Sequence, residues 1–135
     1  MILLLTAHRS LFTLDVLELD GQRLSLAQVA AVANGDERVT LSAAARQRVE
    51  AARRVVEKIV AEEQTVYGIN TGFGKLSDVH IAQSQLRELQ LNLVRSHSCG
   101  VGPPLSVAEA RAMLLLRANV LAQGYSGCRG ILIDT

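Results

Sequence analysis

The sequence has few aromatic residues, few prolines and few cysteines. Aromatic side chains make up 3% of its 135 residues, tryptophan is absent, and there are two prolines and two cysteines. Cys99 and Cys128 are too few for a disulfide framework and lack the spacing of a zinc site, so we expect two reduced thiols and no metal centre. The hydrophobic 49% of the chain is mainly leucine, valine, alanine and isoleucine, which favours close helix packing.

The sequence also has no excess of one charge and no long hydrophobic run. Fourteen basic and thirteen acidic side chains are mixed along the chain, so a nucleic-acid partner is not expected. No apolar run reaches the roughly 18 residues of a membrane span. The apolar opening, residues 1–5, is too short for a signal peptide and has no basic segment before it. We therefore expect a single cytoplasmic domain that does not enter a membrane.

Turn and capping patterns predict a small α+β corner in residues 1–41. Short strands are predicted near residues 14–19 and 38–41. Between them, a capping box that begins at Ser25 opens a helix, which Asn34 and Gly35 can close. The chain after this corner has helical periodicity.

Three longer helices are predicted in residues 42–127. The first covers 42–63, the second 82–95, and the third begins with a capping box at Ser106 and ends at Gly124. The apolar stripe of the first helix contains Val49, Ala52, Val56, Ile59 and Val60, and its charged row, which we interpret as solvated, contains Arg46, Glu50, Arg54, Lys58 and Glu62. The third helix is apolar nearly all round, as in a large helical body. The predicted fold class is mainly α, with long packed helices and a small N-terminal strand pair.

A glycine-rich loop separates the first two long helices and begins at Tyr67. Its spacing fits neither a phosphate-binding P-loop nor a dinucleotide fingerprint. Glycine lets backbone approach a ligand closely, and short polar side chains can bond neighbouring backbone and stiffen a loop. The loop contains three glycines and two short polar residues, with one phenylalanine between the last two glycines: Gly68, Asn70, Thr71, Gly72, Phe73 and Gly74. The pattern favours a loop that positions the Tyr67 phenol.

Three segments together resemble the N-terminal part of the histidine ammonia-lyases, within the family of aromatic amino acid lyases. They are residues 65–75 (TVYGINTGFGK), 89–102 (LQLNLVRSHSCGVG) and 116–127 (LRANVLAQGYSG), in the order and spacing of that family. The resemblance covers about residues 17–127. Because family members are several times longer, it implies an N-terminal fragment. The tail, residues 128–135, departs from the family pattern, and we interpret the chain as a truncated or frame-shifted product.

The resemblance also implies an activity. The family removes ammonia from an amino acid without a bound cofactor, using a methylidene-imidazolone group that forms from an internal Ala-Ser-Gly tripeptide. The 135 residues contain no such tripeptide, and Ser126-Gly127, which follows Tyr125, is interpreted as a turn at a helix end. The complete enzyme would be a homotetramer that converts L-histidine into urocanate and ammonia. We expect the chain alone to be inactive.

The same resemblance assigns roles to three residues. Tyr67 matches a loop tyrosine with an acid/base role, and a phenol with an ordinary pKa near 10 would need a positive local field to act as a base. Ser96 and His97 match the pair by which relatives sort substrates; the Ser-His pair is of the histidine type, since His97 can exchange a hydrogen bond with the substrate imidazole. Residues 68–74 would then form a lid that holds Tyr67 over the pocket.

Other interpretations stay open. Without the resemblance, Tyr67 could equally pack against a helix end, and His97 would be a helix-terminal histidine bonded to a carbonyl. The chain could be a non-catalytic helical module that pairs with a full-length subunit, or part of a tyrosine or phenylalanine ammonia-lyase or aminomutase. His8 and His80 match no motif and are expected at the surface. We also expect marginal stability, because the apolar third helix has few partners in so short a chain.

Overall fold

The structure, a computed structural model, describes residues 16–135. Its elements in chain order are β1 (Val16–Leu19), α1 (Leu26–Asn34), β2 (Arg38–Leu41), α2 (Ala43–Ala61), α3 (Leu86–His97), α4 (Val107–Ala122) and α5 (Ile131–Asp134), with short 3₁₀ turns at Gly74–Leu76 and Gln83–Gln85. The predicted mainly α class with a small strand pair is confirmed. The predictions for residues 1–5, for His8 and for the first two residues of the 14–19 strand lie outside the described residues.

The N-terminal corner is a strand–helix–strand unit. β1 and β2 pair in parallel, with Leu19 opposite Leu41, and α1 connects them. The predicted capping box of α1 is confirmed, because the backbone N–H of Ser25 donates to Gln28 Oε1 at 2.9 Å and the Ser25 hydroxyl caps the N–H of Gln28. Gly35 ends the helix with a φ of 82°, in the left-handed region that glycine adopts without strain.

The core lies where the strand pair and α1 meet the beginning of α2 and the apolar side of α4. Its buried residues are Leu17, Leu19, Val32, Ala45, Leu115 and Ala122. Leu24, Val29, Leu41 and Ala118 pack around them. Residues from both ends of the described chain therefore share one core.

Hydrogen bonds also join the turn after β1 to the end of α4. The backbone N–H of Gly21 donates to Asn119 Oδ1 at 3.2 Å, and Asn119 Nδ2 donates to the carbonyl of Gln22 at 2.7 Å. Gln123 Nε2 donates to the carbonyl of Gly21 at 3.2 Å. Side chains of α4 thus satisfy backbone groups of a turn about a hundred residues earlier in the sequence.

The predicted boundaries of the second long helix are wrong at both ends. The backbone N–H of Ile81 donates to the carbonyl of Asn70, so the chain stays extended through Ala82 and passes through a 3₁₀ turn before α3 begins at Leu86. At the other end the hydroxyls of Ser96 and Ser98 bond carbonyls of the last turn, and α3 continues to His97. Ser96 and His97 therefore lie within the helix.

One residue of the charged row on α2 is not simply solvated. Arg46 forms two hydrogen bonds to the carboxylate of Asp134, at 2.7 and 3.0 Å, and so joins the first turns of α2 to α5. The Arg46 guanidinium holds the pKa of the Asp134 carboxyl below its ordinary value. The pair ties the predicted tail, residues 128–135, to the helical body.

Helix α4 is only partly covered. Leu115 and Leu121 face the core, whereas large apolar side chains elsewhere on the helix are exposed. The exposed ones are Val107, Met113, Leu114, Leu116 and Val120. Between residues 16 and 135 no helix combines the length and the hydropathy needed to cross a bilayer.

Candidate functional site

The glycine-rich loop is anchored by a buried asparagine. Asn70 is 2% exposed, and its Oδ1 accepts the backbone N–H of Val66 at 2.9 Å while its Nδ2 donates to the carbonyl of Gln64 at 2.7 Å. Both ends of the side chain are therefore used to close residues 64–70 into a compact turn. Short polar side chains that bond nearby backbone stabilise loops in this way. The predicted stiffening role of Asn70 is visible in these contacts.

The second half of the loop is held by a short antiparallel pairing. Thr71 bridges to His80, the N–H of Gly72 donates to the carbonyl of Val79 at 3.1 Å, and the Thr71 hydroxyl donates to the carbonyl of Gly72. A Cβ on Gly72 would lie 2.6 Å from the Cβ of Leu76, which is closer than a side chain tolerates. Thr71 and Gly72 thus belong to the buried base of the loop, and Phe73, Gly74 and the surface residue His80 lie outside it.

Tyr67 stands on the exposed part of the same loop. Its side chain is 64% exposed, and Gly68, which follows it, has a φ of 80° with open space around its Cα. The two residues line an open groove of about 750 Å³ between the loop, α2 and the turn that follows α4. Tyr67 is therefore an exposed residue that borders a concave surface.

The opposite wall of the groove is the turn at residues 124–127. Gly127 has a φ of 61°, and a Cβ there would lie 2.4 Å from Cγ2 of Val56 on α2. The turn therefore packs directly on α2, and it carries Tyr125, which is exposed beside the groove. Ser126 and Gly127, interpreted from the sequence as a turn at a helix end, lie in a bend that follows the end of α4.

Arg48 contributes the only charge among the described residues that line the groove. Its guanidinium donates to the carbonyl of Asp20, and to that of Ala122 at 3.4 Å. These bonds join α2 to the turn that follows β1 and to the end of α4. Arg48 is not part of the predicted charged row of α2, and no motif in the sequence marks it.

Ser96 and His97 lie elsewhere, on the last turn of α3. His97 Nδ1 is 2.9 Å from the carbonyl oxygen of Leu93 and 3.0 Å from Ser96 Oγ, and the Ser96 hydroxyl donates to the same carbonyl at 3.0 Å. Both side chains are exposed. His97 is thus a histidine at the end of a helix, bonded to a carbonyl of the last turn. Neither Ser96 nor His97 is among the residues that line the Tyr67 groove.

The described residues contain neither a cluster of metal ligands nor the tripeptide from which the family's electrophile forms. Between residues 16 and 135, no three His, Cys, Asp or Glu side chains cluster as metal ligands do. The turn that contains Ser126 is an exposed bend in which Ser126 Oγ lies 3.8 Å from the Sγ of Cys128. Because Ser126 follows Tyr125 and no Ala-Ser-Gly tripeptide occurs in the 135 residues, they do not contain the precursor of a methylidene-imidazolone.

Solved structures define the class of fold. Histidine ammonia-lyase from Trypanosoma cruzi superposes with a TM-score of 0.82 at 46% identity, over 88% of this chain and 23% of that one. The ergothioneine-degrading enzyme ergothionase from Treponema denticola superposes with a TM-score of 0.84 at 36% identity, over 89% of this chain and 24% of that one. The chain therefore has the fold of the N-terminal region of helical ammonia-lyases.

The sequence comparisons make the assignment more specific. The family model for aromatic amino acid lyases matches residues 24–135, so the chain belongs to the aromatic amino acid lyase family. Histidine ammonia-lyase from Anaeromyxobacter dehalogenans is 53% identical over 116 residues, which are 86% of this chain and 23% of that enzyme. The chain thus spans about a quarter of the length of the relatives it matches.

Proposed function

We propose that the chain supplies the lid and part of the substrate pocket of an enzyme that deaminates L-histidine to urocanate and ammonia. The observation that carries the proposal is the presentation of Tyr67 on an exposed turn whose base is fixed by the buried Asn70. A loop of this construction orients one phenol towards a concave surface. The 53% identity to a histidine ammonia-lyase supports histidine as the substrate.

Tyr67 would act on the proton at the β-carbon of the substrate. The pKa of an unperturbed tyrosine phenol is about 10, so a base role at neutral pH needs a positive field that favours the phenolate. General acid–base catalysis of this kind contributes roughly 10²–10⁴-fold to a rate.

His97, together with its neighbour Ser96, would form the part of the pocket that selects the substrate ring. An exposed imidazole at the end of α3 can exchange a hydrogen bond with the substrate imidazole, and such a bond discriminates against rings without a polar edge. The electrophile, a methylidene-imidazolone that holds the substrate amino group, has to come from an Ala-Ser-Gly tripeptide outside these 135 residues. We therefore propose that the chain alone does not deaminate histidine.

The remainder of a longer lyase would cover the exposed apolar side of α4. Exposed leucine, methionine and valine side chains on a single helix are typical of a surface that another part of the protein buries. The matched relatives are about four times as long as the chain, so the added length could supply this cover. We propose a cytoplasmic, homotetrameric complete enzyme, as the family resemblance implies.

A chimeric enzyme tests the proposed function. Residues 24–127 would replace the matching segment of the Anaeromyxobacter dehalogenans histidine ammonia-lyase, and urocanate formation from L-histidine would be measured. We expect activity close to that of the parent, and a fall in kcat of roughly 10²–10⁴-fold on Tyr67→Phe with KM little changed. Tyr125→Phe makes the same chemical change across the groove and should lower kcat less than about tenfold.

Three results would contradict the proposal. Undiminished urocanate formation by the Tyr67→Phe chimera would remove the acid/base role of that phenol. A chimera that prefers L-tyrosine or L-phenylalanine to L-histidine would favour the alternative substrate classes. Activity of the isolated 135-residue chain on L-histidine would contradict the dependence on an external electrophile.

A further inference from the structure

Two side chains at the end of α3 share one carbonyl oxygen. The Ser96 hydroxyl donates to the carbonyl of Leu93 at 3.0 Å, and His97 Nδ1 lies 2.9 Å from the same oxygen. Ser96 Oγ is also 3.0 Å from His97 Nδ1. The three groups form a closed triangle in which Nδ1 faces two oxygen atoms.

This triangle determines the tautomer of the imidazole. A carbonyl oxygen only accepts hydrogen bonds, so Nδ1 has to carry the hydrogen at 2.9 Å from Leu93 O. The Ser96 hydroxyl donates its hydrogen to the carbonyl of Leu93, so the Ser96 oxygen faces Nδ1 with its lone pairs. An unprotonated Nδ1 would face lone pairs on both sides. The neutral ring is therefore protonated at Nδ1, and its Nε2 is a hydrogen-bond acceptor.

We propose that Ser96 is a positioning residue that holds His97 in the Nδ1–H tautomer, so that Nε2 selects ligands which carry an N–H or O–H donor. The tautomer follows from the geometry of α3 alone. The identity of the ligand rests on the proposed function, in which the donor is the ring N–H of the substrate imidazole. A phenyl ring has no donor and would leave Nε2 without a partner, and an unpaired polar group in a closed site costs affinity.

Ser96 thus acts on the ligand through His97 and needs no ligand contact of its own. This separates its role from that of Ser98, whose hydroxyl donates to the carbonyl of Val94 at 2.7 Å, with no hydrogen bond to the imidazole among the described residues. The two serines make the same kind of bond to the last turn of one helix. Ser98 therefore offers a matched control for any general effect on the end of α3.

The test is ¹⁵N NMR of the imidazole nitrogens in the histidine-labelled 135-residue chain, at a pH where the rings are neutral. We expect His97 to show Nδ1–H and a bare Nε2. Ser96→Ala should shift the tautomer ratio towards Nε2–H by about fivefold, the effect of one net hydrogen bond. Ser96→Thr should keep the original ratio, and Ser98→Ala should leave it unchanged. A predominant Nε2–H tautomer, or a Ser96→Ala ratio equal to that of the parent, would overturn the proposal.

The chimeric enzyme gives a second, independent readout. Ser96→Ala in the chimera should reduce the preference for L-histidine over L-phenylalanine, as a ratio of kcat/KM values, by about fivefold, and Ser98→Ala should not. An unchanged preference would overturn the selective role of Nε2. A chimera without lyase activity would contradict the proposed function and leave the NMR result standing, so the two failures can be told apart.

Discussion

The side-chain amide of Asn70 donates to the carbonyl oxygen of Gln64 at 2.7 Å, from a position that is 2% exposed. Its carbonyl end accepts the backbone N–H of Val66, so one side chain satisfies a donor and an acceptor of the turn that presents Tyr67. The two ends of the amide are chemically distinct. Only asparagine, with its short stem, supplies both groups at this spacing.

Replacing Asn70 by aspartate should therefore destabilise the loop. A carboxylate would keep the acceptor for Val66 but would place a negative charge, without a donor, against the carbonyl of Gln64. We expect a loss of about 1–3 kcal/mol in the free energy of unfolding, measured by urea denaturation. Asn92→Asp makes the same change at an exposed position of α3 and should have a much smaller effect. Equal effects of the two changes would contradict the stabilisation of the loop by the two hydrogen bonds of Asn70.

The turn at Gly127 should not accept a side chain. A Cβ there would lie 2.4 Å from Cγ2 of Val56, and the φ of 61° is unfavourable for any other residue type. Gly127→Ala should therefore cost about 1–3 kcal/mol. Gly100→Ala, at a position with open space, is the control. Adding Val56→Ala to Gly127→Ala should recover part of the loss in a double-mutant cycle, and strict additivity would exclude the steric explanation.

The capping box of α4 should make stability depend on pH. Glu109 accepts hydrogen bonds from the hydroxyl and the backbone N–H of Ser106, at 2.6 and 2.8 Å, and these bonds hold the pKa of the Glu109 carboxyl below its ordinary value. Because the folded state binds this proton less readily, the stabilisation is present above the ordinary glutamate pKa and is lost as the pH falls through the lowered one.

Glu109→Gln should keep the capping box and remove this pH dependence, since glutamine can also accept the two bonds. The measurement is the urea midpoint between roughly pH 7 and pH 3. Glu88→Gln, in the first turn of α3 where no side chain caps the helix, removes an equivalent charge as a control. A Glu109→Gln midpoint that falls with pH as steeply as the parent's would count against the mechanism.

Two adjacent leucines of α4 should lose very different amounts of stability on the same truncation. Leu115 is 4% exposed in the core, so Leu115→Ala should cost about 2–4 kcal/mol of the free energy of unfolding. Leu114 is 70% exposed, and Leu114→Ala should cost less than about 1 kcal/mol while lowering the binding of a hydrophobic dye. A sharp cooperative melt of the parent with no dye binding would contradict the expected marginal stability.

Local sequence signals predicted the elements of the fold well. The capping residues Ser25, Ser42 and Ser106 each precede a helix, and two of these helices are followed by a glycine, at positions 35 and 124. Caps and left-handed turns are predictable because they depend on residues close in sequence. The beginning of α3 was missed because it depends on pairing between Asn70 and Ile81, which no local pattern encodes.

The candidate site was predictable only in part. The exposed Tyr67 and the stiff loop beneath it follow from the glycines and Asn70, all within a few residues. The groove depends on contacts between segments more than fifty residues apart, such as Gly127 against Val56, and its residue Arg48 is held by tertiary hydrogen bonds. The proposed catalytic role of Tyr67 and the substrate role of the Ser96-His97 pair stay predictions.

The hydrogen bonds from Asn119 and Gln123 to the turn at Gly21 also constrain when the molecule can form. During synthesis the turn has to wait for about a hundred further residues before its partners leave the ribosome. At typical rates of 5–20 residues per second, that delay is roughly 5–20 s. Throughout this delay the strand pair lacks the side of its core that α4 provides, so its apolar side chains stay exposed to solvent until α4 has been made.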